Sequence, residues 1–218
     1  PIEYANLAVR GRTLDRVAQE QVPVALTMVS GPDSLVSFHA GANNILRPGY
    51  NPQAVAEQYD ACVAALCATG ATVVVFTVQE SRGRDTRLRR EWNRRFGGFN
   101  QMVRDVATRH GAIAMDGSQV DVFYDPRLLA RDRLHLSTEG HRRVAAAVLA
   151  RLGLPHDADW ADPLPPRSTG QQVARHVSTV AWVVLFLMPW VLRRLTGKSS
   201  GDQRHAKYPQ LAPWSAVH

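Results

Sequence analysis

An aspartate and a histidine lie three residues apart in the segment RDRLHLS, which spans residues 131–137. An aspartate that accepts a hydrogen bond from Nδ1 of an imidazole fixes the tautomer of the ring and leaves Nε2 as a general base. Asp132 and His135 are therefore candidates for two members of a hydrolytic triad. A structural salt link or a solvated histidine is the alternative that this motif leaves open.

Two further segments carry groups that can stabilise a negatively charged oxygen. Asn43 follows the apolar run LVSFHAG, where a strand is expected to end. Its side-chain amide is a neutral donor suited to an oxyanion, although an asparagine that satisfies its own turn fits equally well. Gly11 lies between a short strand and a helix, where its backbone amide can approach a ligand closely.

The hydrophobic pattern predicts the strands and helices that must position these residues. Apolar runs without alternation begin at Leu35, Ala71 and Ala112, and such runs are typical of strands buried on both faces of a parallel sheet. A short strand near residues 3–8 brings the expected number of strands to four. Helical patterns lie between and after the strands, at about residues 13–29, 52–68, 88–110 and 138–152. This alternation predicts βαβ units.

Taken together, the motifs carry a family resemblance. Their order is Asn6-x-x-x-x-Gly11, then Gly41-x-Asn43, then Asp132-x-x-His135. In this order they resemble the second, third and fifth sequence blocks of the SGNH/GDSL hydrolase family, over roughly residues 4–150. The resemblance implies an α/β protein with a three-layer α/β/α, flavodoxin-like parallel sheet. It also implies a serine ester-hydrolase mechanism without a metal or another cofactor.

The resemblance implies a role for each residue. The backbone amide of Gly11 and the side chain of Asn43 would form the oxyanion hole, His135 would be the general base, and Asp132 would orient it. The implied substrate is a small-molecule or lipid-like ester. The family usually has an aspartate where this chain has Asn44, and an asparagine there is expected to keep most of the hydrogen bonding that braces the turn.

The nucleophile of the family belongs to a Gly-Asp-Ser block that precedes the second block, and we find no equivalent here. Asp33-Ser34-Leu35 imitates that block, but Ser34 precedes a strand, at the sheet edge opposite to Asn43. A strand of five residues separates those edges by roughly 16 Å, whereas proton transfer needs about 3 Å. Ser137 is expected to cap the following helix.

We therefore expect a chain that lacks the nucleophile and the first strand of the fold and is inactive as given. A shortened piece of a longer enzyme is the expected explanation. The alternative is a non-catalytic binding or membrane-docking protein on the same fold.

The composition predicts one domain with extensions. Residues 1–155 form the expected α/β domain, followed by a proline-rich linker (156–172), an apolar helix (173–195) and a flexible tail (196–218). The sixteen uncharged residues from Val177 to Leu192 reach about 24 Å as a helix, short of the ~30 Å hydrocarbon core of a bilayer. A membrane span is therefore doubtful, and burial against protein or peripheral membrane contact are the alternatives.

The net charge limits the kinds of partner that the chain can have, and the cysteines indicate its cellular compartment. The net charge of +7 comes mainly from arginine, and seven arginines lie between Arg82 and Arg95. Because the aromatic platform and glycine loops of a nucleic-acid module are missing, we expect a solvated helix face there and no nucleic-acid partner. Cys62 and Cys67 have a spacing that fits neither a metal knuckle nor a disulfide framework, which favours reduced thiols and a cytoplasmic protein, membrane-associated if the apolar helix docks on a bilayer.

Overall fold

The computed structural model describes residues 2–166, 182–189 and 204–216. The chain divides into two compact units, one from Pro1–Met115 with Ser200–His218 and the other from Asp116–Ser199. The units divide after Met115 and after Ser199, and not after residue 155. The domain boundary expected after residue 155 stays a prediction.

The first unit contains the strands. They are β1 (Glu3–Asn6), β2 (Leu35–Phe38), β3 (Thr72–Phe76), β4 (Ile113–Met115) and β5 (Tyr208–Pro213). The strands β2, β3 and β4 form a parallel sheet in that order, with Val36 opposite Val73 and Val75 opposite Ala114. The three continuous apolar runs of the sequence are therefore the three strands of this sheet, and the α/β fold class is confirmed.

Six α-helices accompany the sheet in the part of the chain that the structure describes. They are α1 (Leu14–Arg16), α2 (Val22–Met28), α3 (Ala42–Ile45), α4 (Pro52–Cys67), α5 (Arg87–His110) and α6 (Thr138–Arg151). A π-helical segment, Val17–Gln21, joins α1 to α2. The side chain of Asn51 accepts hydrogen bonds from two backbone amides at the start of α4, and Gly111 ends α5 in a left-handed conformation. Asn51 starts α4 because its side chain satisfies backbone amides that have no partner within the helix. Gly111 ends α5 because glycine readily adopts a positive φ.

The apolar core of the first unit lies where α4 and α5 pack against each other and against the sheet. The rings of Phe38, Tyr59 and Phe99 meet there, with centroids 5.3 and 5.9 Å apart. Val73 and Val75 of β3 are 2% and 0% exposed. Helices therefore flank the parallel sheet and cover its central strand, as continuous apolar strands require.

Strand β1 differs from the expectation that it joins the parallel sheet. It pairs antiparallel with β5, which belongs to the tail that was expected to be flexible. The ring of Tyr4 packs edge-on against Tyr208 and Trp214, with centroids 5.6 and 5.3 Å away. Aromatic cross-strand pairs stabilise such a ribbon, which explains why a short segment with two prolines can be a strand.

Strand β2 is bonded to β3 on one side, and no other strand in the described part of the chain pairs with it. Its first residue, Leu35, is 56% exposed. The alternating exposure of β2 contrasts with β3, whose three central residues are buried. An unpaired edge is a place where another strand can add.

The second unit is built on α6 and on short 3₁₀ turns. These turns are Gly117–Gln119, Asp121–Tyr124, Pro126–Leu128 and Ala158–Ala161. Arg143 of α6 is 4% exposed and donates to the backbone oxygens of Asp159, Trp160 and Asp162, at 3.0, 3.0 and 2.6 Å. This buried guanidinium fastens the segment after Leu154 to α6, since these three bonds each satisfy a carbonyl group of that segment.

Within the described ranges, every helix falls short of the combination of length and apolar character needed to cross a bilayer.

Candidate active site

A tight loop between Leu129 and Leu136 carries the predicted dyad. These two residues form an antiparallel bridge, and the amide of Ala130 donates to the carbonyl oxygen of His135 at 2.7 Å. Arg133 turns the chain inside this loop with φ of 55°, a conformation that is uncommon for a residue other than glycine. The loop therefore has a defined shape, fixed at its base by backbone hydrogen bonds.

Both oxygens of the Asp132 carboxylate have partners in the loop. Oδ1 accepts from the backbone amides of Leu134 and His135, both at 3.0 Å, and Oδ2 lies 2.6 Å from Nδ1 of His135. A carboxylate at this distance requires the proton on Nδ1, which directs the basic lone pair to Nε2. Asp132 thus holds the imidazole in the tautomer that a general base needs.

The same contacts keep Asp132 ionised. Burial raises the pKa of the carboxyl, but hydrogen bonds from the backbone and the ring of His135 and from the Leu134 amide outweigh burial, so the pKa lies below its ordinary value. The Asp132 side chain is 19% exposed and that of His135 is 45% exposed. The imidazole is therefore open to solvent, whereas its partner is largely covered.

The predicted oxyanion-hole residues lie in the first unit, on two loops that are bonded to each other. Gly11 has φ of +78° in a turn after β1. The side-chain amide of Asn43 donates to the carbonyl oxygen of Arg12 at 3.0 Å, and Oδ1 of Asn44 accepts from the amide of Leu14 at 2.8 Å. An amide nitrogen carries two hydrogens, so the bond to Arg12 uses half of the donor capacity of Asn43.

Asn44 stands where the resemblance leads one to expect an aspartate. The oxygen that it offers to Leu14 is an atom that an aspartate would also provide. Asn44 thereby connects the loop after β2 to the start of α1.

Gly41 brings the loop after β2 close to the core. It has φ of +95°, and a Cβ at this position would lie 2.6 Å from Cε2 of Phe99. Only glycine combines this backbone conformation with this close approach. The residue therefore fixes the path of the chain just before Asn43.

The two serines considered in the sequence have other hydrogen bonds. Ser34 precedes β2, and its hydroxyl bonds the backbone of Ser30, at 3.1 Å to both the amide and the carbonyl oxygen. The hydroxyl of Ser137 accepts from the amide of Gly140 at 3.2 Å and donates to the oxygen of Arg127 at 3.0 Å. The prediction that Ser137 caps the helix is confirmed.

Two asparagines of α5, which the sequence analysis missed, hold the loop that follows β3. Asn100 is fully buried, and its side chain donates to and accepts from the backbone of Val78, both at 2.8 Å. Asn93 makes the same pair of bonds to Ser81, at 2.8 and 2.9 Å. Asn100 also donates to Glu80 at 3.0 Å. Their seven-residue spacing, two helical turns, was the available signal.

A tryptophan of the apolar C-terminal run contacts the dyad loop. The indole nitrogen of Trp182 donates to the backbone oxygen of Asp132 at 2.8 Å. The guanidinium of Arg133 lies 5.3 Å from the centre of the same ring. This contact was not predicted, because nothing in the apolar run indicates which segment it packs against.

Asp132 and His135 thus belong to the second unit, and Gly11 and Asn43 belong to the first. Asp132 and His135 lie on one loop. Gly11 and Asn43 lie on two loops that are joined by the hydrogen bond from Asn43 to Arg12. Asp132 and His135 can orient and transfer a proton, and the amides of the second pair can stabilise a negative charge. The catalytic roles of all four residues stay predictions.

Known structures similar to this chain are hydrolases. LAE5, an alpha/beta hydrolase enzyme from the metagenome of Lake Arreo in Spain, is 25% identical with a TM-score of 0.50, over 66% of this chain and 69% of that chain. A catalytic mutant of Axe2, an acetylxylan esterase from Geobacillus stearothermophilus, is 20% identical with a TM-score of 0.52, over 72% of each chain. The psychrotrophic esterase EstA from Pseudoalteromonas sp. is 16% identical with a TM-score of 0.50, over 66% of this chain and 72% of that chain.

The latter two likenesses show a shared fold. No curated protein matches the sequence. The sequence model of the GDSL-like Lipase/Acylhydrolase family matches residues 1–143, about two thirds of the chain. The chain therefore belongs to the GDSL-like lipase/acylhydrolase family of SGNH fold, whose members are hydrolases that act on ester bonds.

Proposed function

We propose that this chain provides the base, its orienting carboxylate and the oxyanion hole of a serine ester hydrolase. The observation that carries the proposal is the 2.6 Å contact between Asp132 and Nδ1 of His135, with the imidazole open to solvent. A histidine whose tautomer is fixed in this way, in a member of an acylhydrolase family, is suited to deprotonate a serine hydroxyl.

In the proposed reaction, a serine attacks the ester carbonyl and His135 takes its proton through Nε2. The tetrahedral oxyanion is stabilised by the amides of Gly11 and Asn43. His135 then returns the proton to the leaving alcohol, and water attacks the acyl-enzyme in a second step with the same base. Asp132 stabilises the imidazolium that forms in each step.

The serine of the family's Gly-Asp-Ser block has no counterpart among the 218 residues. We propose that the chain alone hydrolyses esters poorly, because His135 has no positioned hydroxyl to activate. The involvement of Ser34 and Ser137 in local backbone bonding supports this proposal.

For the substrate we propose esters of short acyl groups. The support is the likeness to an acetylxylan esterase and to a psychrotrophic esterase. A short acyl group needs only a shallow binding site, and the exposed imidazole of His135 is compatible with a shallow site.

The experiment compares hydrolysis of p-nitrophenyl acetate by the 218-residue chain and by the product of its complete reading frame. We expect turnover by a product that contains a Gly-Asp-Ser block upstream and little or none by the shorter chain. Turnover by the 218-residue chain that survives loss of His135 would contradict the assignment. A complete product without esterase activity would favour the second candidate, a non-catalytic binding protein.

A further inference from the structure

We propose that residues 182–189 form a docking surface for an anionic lipid bilayer, fastened to the loop that carries Asp132 and His135. The occupant is the headgroup and upper acyl region of the bilayer, contacted without crossing it. The proposal rests on exposure, on attachment and on charge.

The exposed side chains of this segment are apolar. Val184, Leu185, Phe186 and Met188 are 60%, 66%, 37% and 50% exposed. Four such residues within five positions of one helical segment leave apolar side chains exposed to water close together in the chain, and a contiguous exposed apolar patch is typical of an interaction site. We call these four residues the apolar patch.

Trp182, two residues before the apolar patch, fastens this segment to the dyad loop. Trp182 donates its indole hydrogen to the backbone oxygen of Asp132 at 2.8 Å, and the guanidinium of Arg133 lies over its ring, 5.3 Å from the ring centre. Next to Arg133, Leu134 is 59% exposed and adds an apolar side chain on the loop itself. A contact made by the patch therefore involves the loop that holds His135.

The charge of the surrounding sequence selects an anionic lipid surface. No acidic residue occurs between Asp162 and Asp202, and five basic residues do: Arg167, Arg175, Arg193, Arg194 and Lys198. Basic residues that flank an apolar segment attract anionic headgroups while the apolar side chains enter the interface.

Docking on a bilayer needs no ester turnover, so it can be tested separately from the proposed enzymatic function. The 218-residue chain is mixed with vesicles of phosphatidylcholine alone or with phosphatidylglycerol added, and the bound fraction is measured by flotation. The test variant is Leu185→Glu with Met188→Glu, which places two charges in the apolar patch. The matched control is Leu88→Glu, because Leu88 is 79% exposed on α5, in the other unit.

We expect binding to the anionic vesicles, weaker binding to phosphatidylcholine alone, and a loss of about tenfold or more in the double variant, since each leucine-sized side chain kept out of the interface weakens binding. The Leu88→Glu control should bind like the unmodified chain. The proposal is overturned if the unmodified chain does not float with anionic vesicles, if it binds both vesicles equally, or if Leu88→Glu weakens binding as much as the double variant. Light scattering that shows a dimer broken by the double variant would assign the patch to a second copy instead.

Discussion

At the scale of residues, the chemistry of the site depends on one carboxylate with two tasks. Asp132 accepts two backbone amides through one oxygen and faces the imidazole with the other. It therefore shapes the loop and also sets the tautomer of His135. The sequence could indicate the pair, because the spacing of three is recognisable, but not the backbone bonds, which depend on the positive φ of Arg133.

The lowered pKa of Asp132 makes a prediction for stability against pH. A carboxyl whose pKa is lower in the folded chain stabilises the fold above its unfolded pKa and loses that contribution as the pH falls through the folded value. We expect the free energy of unfolding to fall below about pH 4, and to fall less steeply in Asp132→Asn. Urea unfolding between pH 2 and 7 measures both slopes. Parallel curves for the two proteins would show that the Asp132 contacts are not made in solution.

At the scale of elements, single side chains on the helices hold neighbouring loops by hydrogen bonds to their backbone, in both units. Asn100 of α5 is buried and satisfies both backbone groups of Val78. Replacing it by leucine leaves these groups without partners, at a cost of about 1–3 kcal/mol for each group that water cannot reach. We expect Asn100→Leu to destabilise the chain by that order and to speed hydrogen exchange at the Val78 amide.

The neighbouring Gln101 provides the control for Asn100. Its side chain is exposed, donates to Asp105 at 2.8 Å and accepts from Arg104 at 3.4 Å, and both partners lie on the same helix. Gln101→Leu should change stability by no more than about 0.5 kcal/mol. Equal effects of the two substitutions would mean that the loop after β3 is not held by α5.

The start of α6 offers a second test at this scale. A Cβ on Gly140 would lie 2.2 Å from the backbone oxygen of Leu128, so alanine cannot fit without moving the chain. We expect Gly140→Ala to destabilise the chain by about 1–3 kcal/mol. Gly98 is the matched control, because a Cβ there meets nothing within 4 Å on α5, and alanine in a helix is about 0.5–1 kcal/mol better than glycine. Thermal unfolding in which both variants shift in the same direction would contradict this account.

At the scale of the whole molecule, local signals predicted most elements and few of the long-range contacts. Continuous apolar runs predicted the three strands of the parallel sheet, and the helical patterns predicted α4, α5 and α6 to within one residue at each end. The pairing of β1 with β5 joins residues about 200 positions apart. No local pattern contains such a pairing, because it depends on rings that meet only in the folded chain. The attachment of Trp182 to the dyad loop was missed for the same reason.

For the candidate site too, the sequence predicted the residues but not the contacts between them. The order of three motifs identified Asp132, His135, Gly11 and Asn43, since residue type and spacing carry that information. The sequence did not show that the side chain of Asn43 bonds Arg12, or that Asn44 bonds Leu14, because each bond joins two loops about thirty residues apart. The family membership of residues 1–143 agrees with the motif order.

The central claim is that His135 is the base of an ester hydrolase, and chemical rescue tests it most directly. The product of the complete reading frame, unmodified and with His135→Ala, is assayed with p-nitrophenyl acetate, with and without added imidazole. We expect the substitution to lower kcat by about 10³-fold or more and imidazole to restore part of the rate above its background hydrolysis of the ester. A variant that keeps its rate to within about tenfold would contradict the assignment of His135 as the base.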